Sequence, residues 1–166
     1  MDNPRIKNEF CQQEIPLLYE MEKECFKPPF RWSKTEFTSQ LNRNNVWIIE
    51  DEFVENIITP RSFGSIQTTQ RLNRIVGFLI AKVFRGKACI LTVEVPENYR
   101  GRGYATRLIT ACEQYYEMRG IKTLRLEVYT ENPAQLMYFK LGYRITGFEK
   151  DWYDKGKSAV IMTKTL

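Results

Sequence analysis

From Val93 to Thr106 the chain reads Val93-Glu94-Val95-Pro96-Glu97-Asn98-Tyr99-Arg100-Gly101-Arg102-Gly103-Tyr104-Ala105-Thr106. A β-rich run precedes this segment and an amphipathic run follows it, so it leaves a strand and enters a helix. Gly101, Gly103 and the small Ala105 let the backbone approach a ligand closely. The helix start presents free N–H groups and the positive end of its dipole, and Arg100 and Arg102 add charge. A diphosphate suits this set. The Gly-Lys-Ser/Thr ending of a Walker loop is missing, and the glycine spacing of a dinucleotide fingerprint is wrong. The competing reading is an ordinary glycine-rich turn with surface arginines.

The chain contains no histidine. Proton transfer near neutral pH therefore falls to a carboxylate, Tyr, Cys or Lys. In Thr123–Tyr129, Leu124, Leu126 and Val128 alternate with Arg125, Glu127 and Tyr129, so Glu127 points away from the leucines. It is either a proton acceptor or a solvated strand residue paired with Arg125 or Lys122. Glu94 is its rival. Simple alternation puts Glu94 on the face of Ile90 and Thr92, opposite Leu91, Val93 and Val95. Tyr138 offers a phenol, or is a core tyrosine with one wet end. Asn132 offers a side-chain amide, or caps a helix. Tyr129, Trp152 and Tyr153 are large aromatics for a groove, or packing.

These groups need elements to hold them. A short strand near Arg5–Phe10 precedes a helix over Gln12–Cys25, with Ile15, Leu18, Tyr19, Glu22 and Cys25 near one face and Lys27-Pro28-Pro29 ending it. Ser33-Lys34-Thr35-Glu36 is a capping box that starts a second helix. Val46–Ile49 is a strand. Residues 51–74 mix strand-like Phe53–Ile58 with Pro60 and Gly64, which predicts a loop or a protruding hairpin. Ile75–Phe84 and Ala88–Val95 are antiparallel strands joined by Arg85-Gly86-Lys87. The helix after the glycine loop spans Gly103–Arg119, with Tyr104, Leu108, Ala111, Cys112 and Tyr115 apolar-facing and Gly120 as its C-cap. A short helix over Asn132–Leu141 has Pro133 near its first position. Tyr143–Glu149 and Lys157–Lys164 form a last antiparallel pair. The pattern predicts an α/β fold with a mixed sheet flanked by helices.

At 166 residues the expectation is one domain over 1–166, with 51–74 as an extra hairpin or loop. Apolar residues at 43% and charged residues at 27% exclude bulk disorder. The net charge of +5 fits an anionic ligand or ordinary solubility. No nucleic-acid-binding motif stands out. Cys11, Cys25, Cys89 and Cys112 lack Cys-x-x-Cys spacing, so no metal is expected. Free thiols, no signal-peptide pattern and no membrane-length apolar run predict a cytoplasmic protein.

Arg100-x-x-Gly103-x-Ala105, after a strand and before a helix, resembles the acetyl-CoA pyrophosphate loop of the GNAT superfamily of N-acetyltransferases. Leu124-Arg125-Leu126-Glu127-Val128 and Asn132-Pro133-Ala134-Gln135-Leu136-Met137-Tyr138-Phe139-Lys140-Leu141-Gly142-Tyr143 are similar to its later strand and helix. Cys25-Phe26, Trp32-Ser33-Lys34-Thr35-Glu36-Phe37, Trp152-Tyr153 and Ala159-Val160-Ile161-Met162 resemble the ribosomal-protein alanine N-acetyltransferases (the RimI group). Residues 51–74 are longer than that group carries, and Asn132 sits one residue closer to Tyr138.

The resemblance implies a mixed, mostly antiparallel sheet splayed at a central parallel pair and flanked by helices. It implies acetyl transfer from acetyl-CoA, without a metal, directly to a primary amine, most often a protein or peptide N-terminus. Small amines such as polyamines, amino acids or aminoglycosides are the runner-up acceptors, and a non-catalytic CoA sensor is the other class. The resemblance implies acetyl-CoA contacts from Val93, Val95, Arg100, Gly101, Arg102, Gly103, Tyr104, Ala105, Thr106 and Asn132. Backbone N–H of Val93–Val95 would face the developing oxyanion. Glu127 would be the proton acceptor and Tyr138 the proton donor to the thiolate. A monomer or homodimer is expected, with no nucleic-acid or membrane partner.

Overall fold

The protein is described by a computed structural model covering residues 4–61 and 64–166, with side chains for all of these except 56–61 and 64–68. The strands are β1 (Arg5–Lys7), β2 (Asn45–Arg61), β3 (Gly64–Phe84), β4 (Lys87–Glu94), β5 (Thr123–Tyr129), β6 (Arg144–Asp154) and β7 (Lys157–Thr165). The helices are α1 (Ile15–Cys25), α2 (Lys34–Arg43), α3 (Tyr104–Glu117) and α4 (Gln135–Lys140). The strands form one seven-stranded sheet in the order β1-β2-β3-β4-β5-β7-β6. All neighbours are antiparallel except β4 and β5. This is the expected fold class. Among the described residues no helix is long and apolar enough to cross a membrane.

Two apolar clusters cover the two faces. Helices α1 and α2 bury Ile15, Leu18, Met21, Phe37 and Leu41 against Val46, Ile48, Phe78 and Ile80. Helix α3 packs Tyr104, Leu108, Ile109, Cys112 and Tyr116 against Trp47, Leu79, Ile90, Leu124 and Leu126 on the other face. Phe37 and Leu41 are 0% and 1% exposed, and each such side chain contributes about 1.5–3 kcal/mol. The α2 start follows its sequence: Glu36 N–H donates to Ser33 Oγ at 3.3 Å, and Ser33 N–H to Glu36 Oε2 at 3.0 Å.

Several element ends differ from expectation for local reasons. Gln12–Glu14 is a 3-10 turn, and the α-helix starts at Ile15, where Pro16 occupies its first turn. Helix α3 buries Tyr116 rather than Tyr115, because its contact row runs 104, 108, 112, 116 in steps of four. Trp47 meets both tyrosine rings, at 5.3 and 5.8 Å. Helix α4 starts at Gln135, not Asn132, because Asn132 Oδ1 accepts the Ala134 N–H at 2.9 Å and holds a turn ahead of it. Strand β6 runs on to Asp154.

Residues 51–74 continue β2 and β3 as a paired ribbon, in register from Asp51↔Arg74 to Arg61↔Gly64. The connecting residues 62–63 lie outside the described residues.

Two register shifts shape the centre of the sheet. Ile49 pairs with Gly77 but Glu50 with Ile75, so Val76 is the extra residue in β3. Ile80 pairs with Thr92 but Ala81 with Ile90, so Leu91 is the extra residue in β4. A bulge of this kind bends its strand and reverses which face later side chains take.

Candidate active site

Strands β4 and β5 pair at three positions only: Ala88↔Leu124, Cys89↔Arg125 and Ile90↔Leu126. Both strands continue, β4 to Glu94 and β5 to Tyr129, without further mutual register. The parting begins at the Leu91 bulge. A cleft of about 1270 Å³ opens there, bounded by the 99–106 loop, α1, β5 and α4.

The loop forms one wall. Gly101 (φ +76°) and Gly103 (φ +79°) are left-handed, a conformation that glycine adopts without strain. A Cβ at either would meet nothing within 4 Å, so conformation rather than crowding calls for glycine. Gly103 is the N-cap of α3, and its carbonyl accepts Arg107 N–H at 3.0 Å. The N–H groups of Tyr104, Ala105 and Thr106 precede that first intrahelical bond and have no acceptor within the helix. They give this wall an anion-binding character.

The two arginines sit differently. Arg100 Nε donates to Val95 O at 3.0 Å and clips the loop to the strand end. Arg102 lies beside the Tyr104 hydroxyl, which donates to Asp51 at the base of the ribbon. Val93 and Val95 pack against the α3 cluster and also line the cleft. Asn132 commits Oδ1 to Ala134, which leaves its Nδ2 donors for the cleft it lines.

Glu127 lines the cleft and is paired with Arg125. Its Oε1 accepts from Arg125 Nε and Nη2, both at 2.6 Å, with the carboxylate side chain 17% exposed. Tyr138 is 6% exposed, borders the cleft and packs edge-on against Tyr143 at 5.7 Å. Burial holds its phenol well above the ordinary tyrosine value, so it is protonated at every working pH. Tyr129 and Tyr153 lie against Phe30 at 5.1 and 4.9 Å, and Trp152 joins them at the cleft. Tyr153 hydroxyl donates to the Glu127 carbonyl at 3.2 Å. Its phenol is pushed up to about 12, first by burial and then by the Glu127 charge.

Glu94 requires a correction. Read by alternation it shares the face of Ile90. The Leu91 bulge breaks that alternation: Ile90, Val93 and Val95 pack toward α3, while Leu91 packs into the α1/α2 cluster. Glu94 faces α1 and lies beside Glu22. Both are 1% exposed. Burial, then the Glu22 carboxyl, raise Glu94 well above the ordinary carboxyl range. By spacing, Glu22 falls on the apolar face of α1. A carboxylate at that spacing among Ile15 and Leu18 was the available clue to its burial.

Among the described residues no cluster of three or more His, Cys, Asp or Glu is arranged to hold a metal. The remaining groups make one chemical surface: an anion-compatible helix start, an unpaired strand edge, buried carboxyls and phenols, and an aromatic rim.

Among the described residues the sheet parts at its one parallel strand pair, with a glycine-capped helix start beside the gap, which defines an α/β protein with a cleft suited to an anionic ligand. The sequence matches the acetyltransferase (GNAT) family over residues 15–143, and the chain belongs to that family. It is therefore an acetyltransferase. It is 27% identical over 119 residues to the ribosomal protein bS18-alanine N-acetyltransferase of Haemophilus influenzae, covering 63% of this chain and 82% of that one. The crystal structure of the corresponding Escherichia coli enzyme superposes with a TM-score of 0.74 at 21% identity, covering 98% of this chain and 94% of that one. Arabidopsis thaliana NAA60 in complex with acetyl-CoA gives 0.73 at 18%, covering 99% of both chains.

Proposed function

We propose that this enzyme transfers acetyl from acetyl-CoA directly to the α-amine of a protein or peptide N-terminus. The observation that carries the reading is the cleft at the parted strands, which reaches from the α3 N-terminus to the Phe30–Tyr129–Tyr153 aromatic rim. The relative named for acetylating an alanine of ribosomal protein bS18 supports it. So does the likeness in fold to a protein solved with acetyl-CoA.

In this reading the pyrophosphate rests on Arg100, Gly101, Arg102, Gly103, Tyr104, Ala105 and Thr106. Asn132 Nδ2 holds the pantetheine arm. The Val93–Val95 main chain donates to the oxyanion as the amine attacks. Glu127 takes a proton from the attacking nitrogen as the intermediate collapses, and Tyr138 protonates the departing sulfur. The four cysteines are free, which fits a reducing compartment.

A small-amine acceptor is the second reading, favoured by the carboxyls of Glu22, Glu94 and Glu127 lining the cleft. Charge weighs against a polycation. Arg125 is paired with Glu127, Arg100 also lines the cleft, and burial favours the neutral form of Glu94.

Thiol release measured over Ala- and Ser-starting peptides, polyamines and aminoglycosides tests the assignment. Turnover on the peptides is expected, with kcat reduced about 10²–10⁴-fold in Glu127→Gln and in Tyr138→Phe. Turnover confined to polyamines or aminoglycosides overturns the N-terminal acceptor.

A further inference from the structure

The loop between β4 and α3 has little of its own to hold it in shape. Arg100, Gly101, Arg102 and Gly103 are exposed, and the two glycines are left-handed with open space where a Cβ would stand. Glycine restricts the backbone least, so ordering this stretch around a ligand costs entropy unless its ends are already fixed. Arg100 is clipped to Val95 O. Two further anchors, Tyr99 before the glycines and Tyr104 after them, both rest on the base of the β2–β3 ribbon, which the mechanism above does not use.

Tyr99 meets the Phe53 ring edge-on at 5.7 Å, and the Arg74 guanidinium stands 5.7 Å from the centre of the same ring. Tyr104 is 3% exposed, with its ring in the α3 cluster. A buried phenol needs a partner for its hydroxyl, and here it donates to Asp51 Oδ2. Asp51 is itself aligned: its Oδ1 accepts the Glu52 N–H at 2.9 Å, and it lies opposite Arg74 in the ribbon register. Charge makes the residue type informative. A carboxylate so close to Arg102 and the α3 N-terminus opposes the approach of a diphosphate. Its place there is explained by what it holds rather than by what it attracts.

Resting on the acetyl-CoA reading of this loop, we propose that the ribbon base is a strut that sets the loop in its binding shape, with Asp51 a positioning residue acting through the Tyr104 hydroxyl and Phe53 one acting through Tyr99. Asp51 does not line the cleft. It fixes the first residue of α3, whose N–H is one of the three offered to the diphosphate. A loop shaped beforehand loses less free energy to ordering when the ligand binds. The strut therefore acts on acetyl-CoA affinity and not on the chemical step.

Calorimetry with CoA on the full chain, together with initial rates over acetyl-CoA concentration, tests the strut. Asp51→Ala removes both the acceptor and the charge. Asp51→Asn removes the charge and keeps an oxygen for the Tyr104 hydroxyl. Tyr104→Phe removes the donor. Asp51→Ala and Tyr104→Phe should each weaken CoA binding about 3–10-fold, the worth of one hydrogen bond. Asp51→Asn should bind CoA as tightly as wild type or more tightly. Asp51→Ala placed on Tyr104→Phe should weaken binding no further. In Asp51→Ala the KM for acetyl-CoA should rise with Kd while kcat stays within about twofold. Phe53→Leu, which keeps apolar bulk but removes the ring, should raise KM in the same way. Melting curves check that each variant is folded at the assay temperature. An Asp51→Ala affinity equal to or tighter than wild type, or losses of equal size in Asp51→Ala and Asp51→Asn, overturns the strut and leaves acetyl transfer standing. Failure of wild type to bind CoA overturns the cofactor reading, and the strut with it.

Discussion

Glu94 and Glu127 sit on adjacent strands and border the same cleft, yet their surroundings differ. Arg125, two residues away on the same strand, compensates Glu127. Glu94 is buried against another carboxyl. The pairing of Glu127 with Arg125 was legible in the alternation of β5. The Glu22–Glu94 contact was not, because it depends on a bulge and on where α1 lies. That contact has a measurable cost. A carboxyl raised in the folded state contributes stability that is complete below its ordinary value of 4.5 and is lost as pH rises through its folded value. Glu94→Gln removes the loss. Its melting temperature should match or fall below wild type in acid and rise above it by a few degrees at neutral and higher pH. Each kcal/mol is about 2–4 °C at this chain length. Melting curves over a pH series check the sign, and a pH-independent difference would contradict it. With no histidine in the chain, no imidazole can blur the profile.

At the scale of elements, the capping box of α2, the glycine loop before α3 and the β5 alternation could be read directly, because each is fixed by neighbours within a few residues. The start of α4 could not, since the Asn132 side chain competes with the helix for the same backbone donor. The β3 and β4 bulges also left no mark in composition. Gly77, beside the β3 bulge, shows how tightly they are built. A Cβ there would stand 2.7 Å from Glu94 O, 3.0 Å from Val95 Cγ2 and 3.3 Å from Ile49 Cγ2. Main-chain oxygen cannot swing aside, so β3 and the end of β4 would have to separate. Gly77→Ala should cost about 1–3 kcal/mol of stability, as overpacking does. It should also raise the KM for acetyl-CoA several-fold, because the displaced backbone leads into the loop. Denaturant unfolding and initial-rate kinetics measure the two effects. Gly147→Ala is the control: its Cβ meets the flexible Ile161 Cδ1 at 2.9 Å and lies on β6, away from the loop.

For the whole molecule, the strand and helix order from Ala88 onward and the loop motif were enough to give the α/β class and the family likeness. The ribbon over 51–74 was harder, because Pro60, Gly64 and scattered polar residues obscure a period of two. Its strands are held by cross-strand contacts, such as Arg71 with Glu52 at 3.4 Å, which no local pattern announces. The sheet's central discontinuity has a further consequence. Main-chain amides normally locked in mid-sheet are, at Leu91–Glu94 and Glu127–Tyr129, without a strand across the gap. Deuterium from heavy water should therefore label the gap-facing amides of these two stretches early in the free protein, while Ala88–Ile90 and Leu124–Leu126 resist. Saturating acetyl-CoA should slow the labelling of the first set by an order of magnitude or more and leave the second nearly unchanged. The middle of this sheet would then behave as its least protected part, and the amides there would record occupancy without any assay of product.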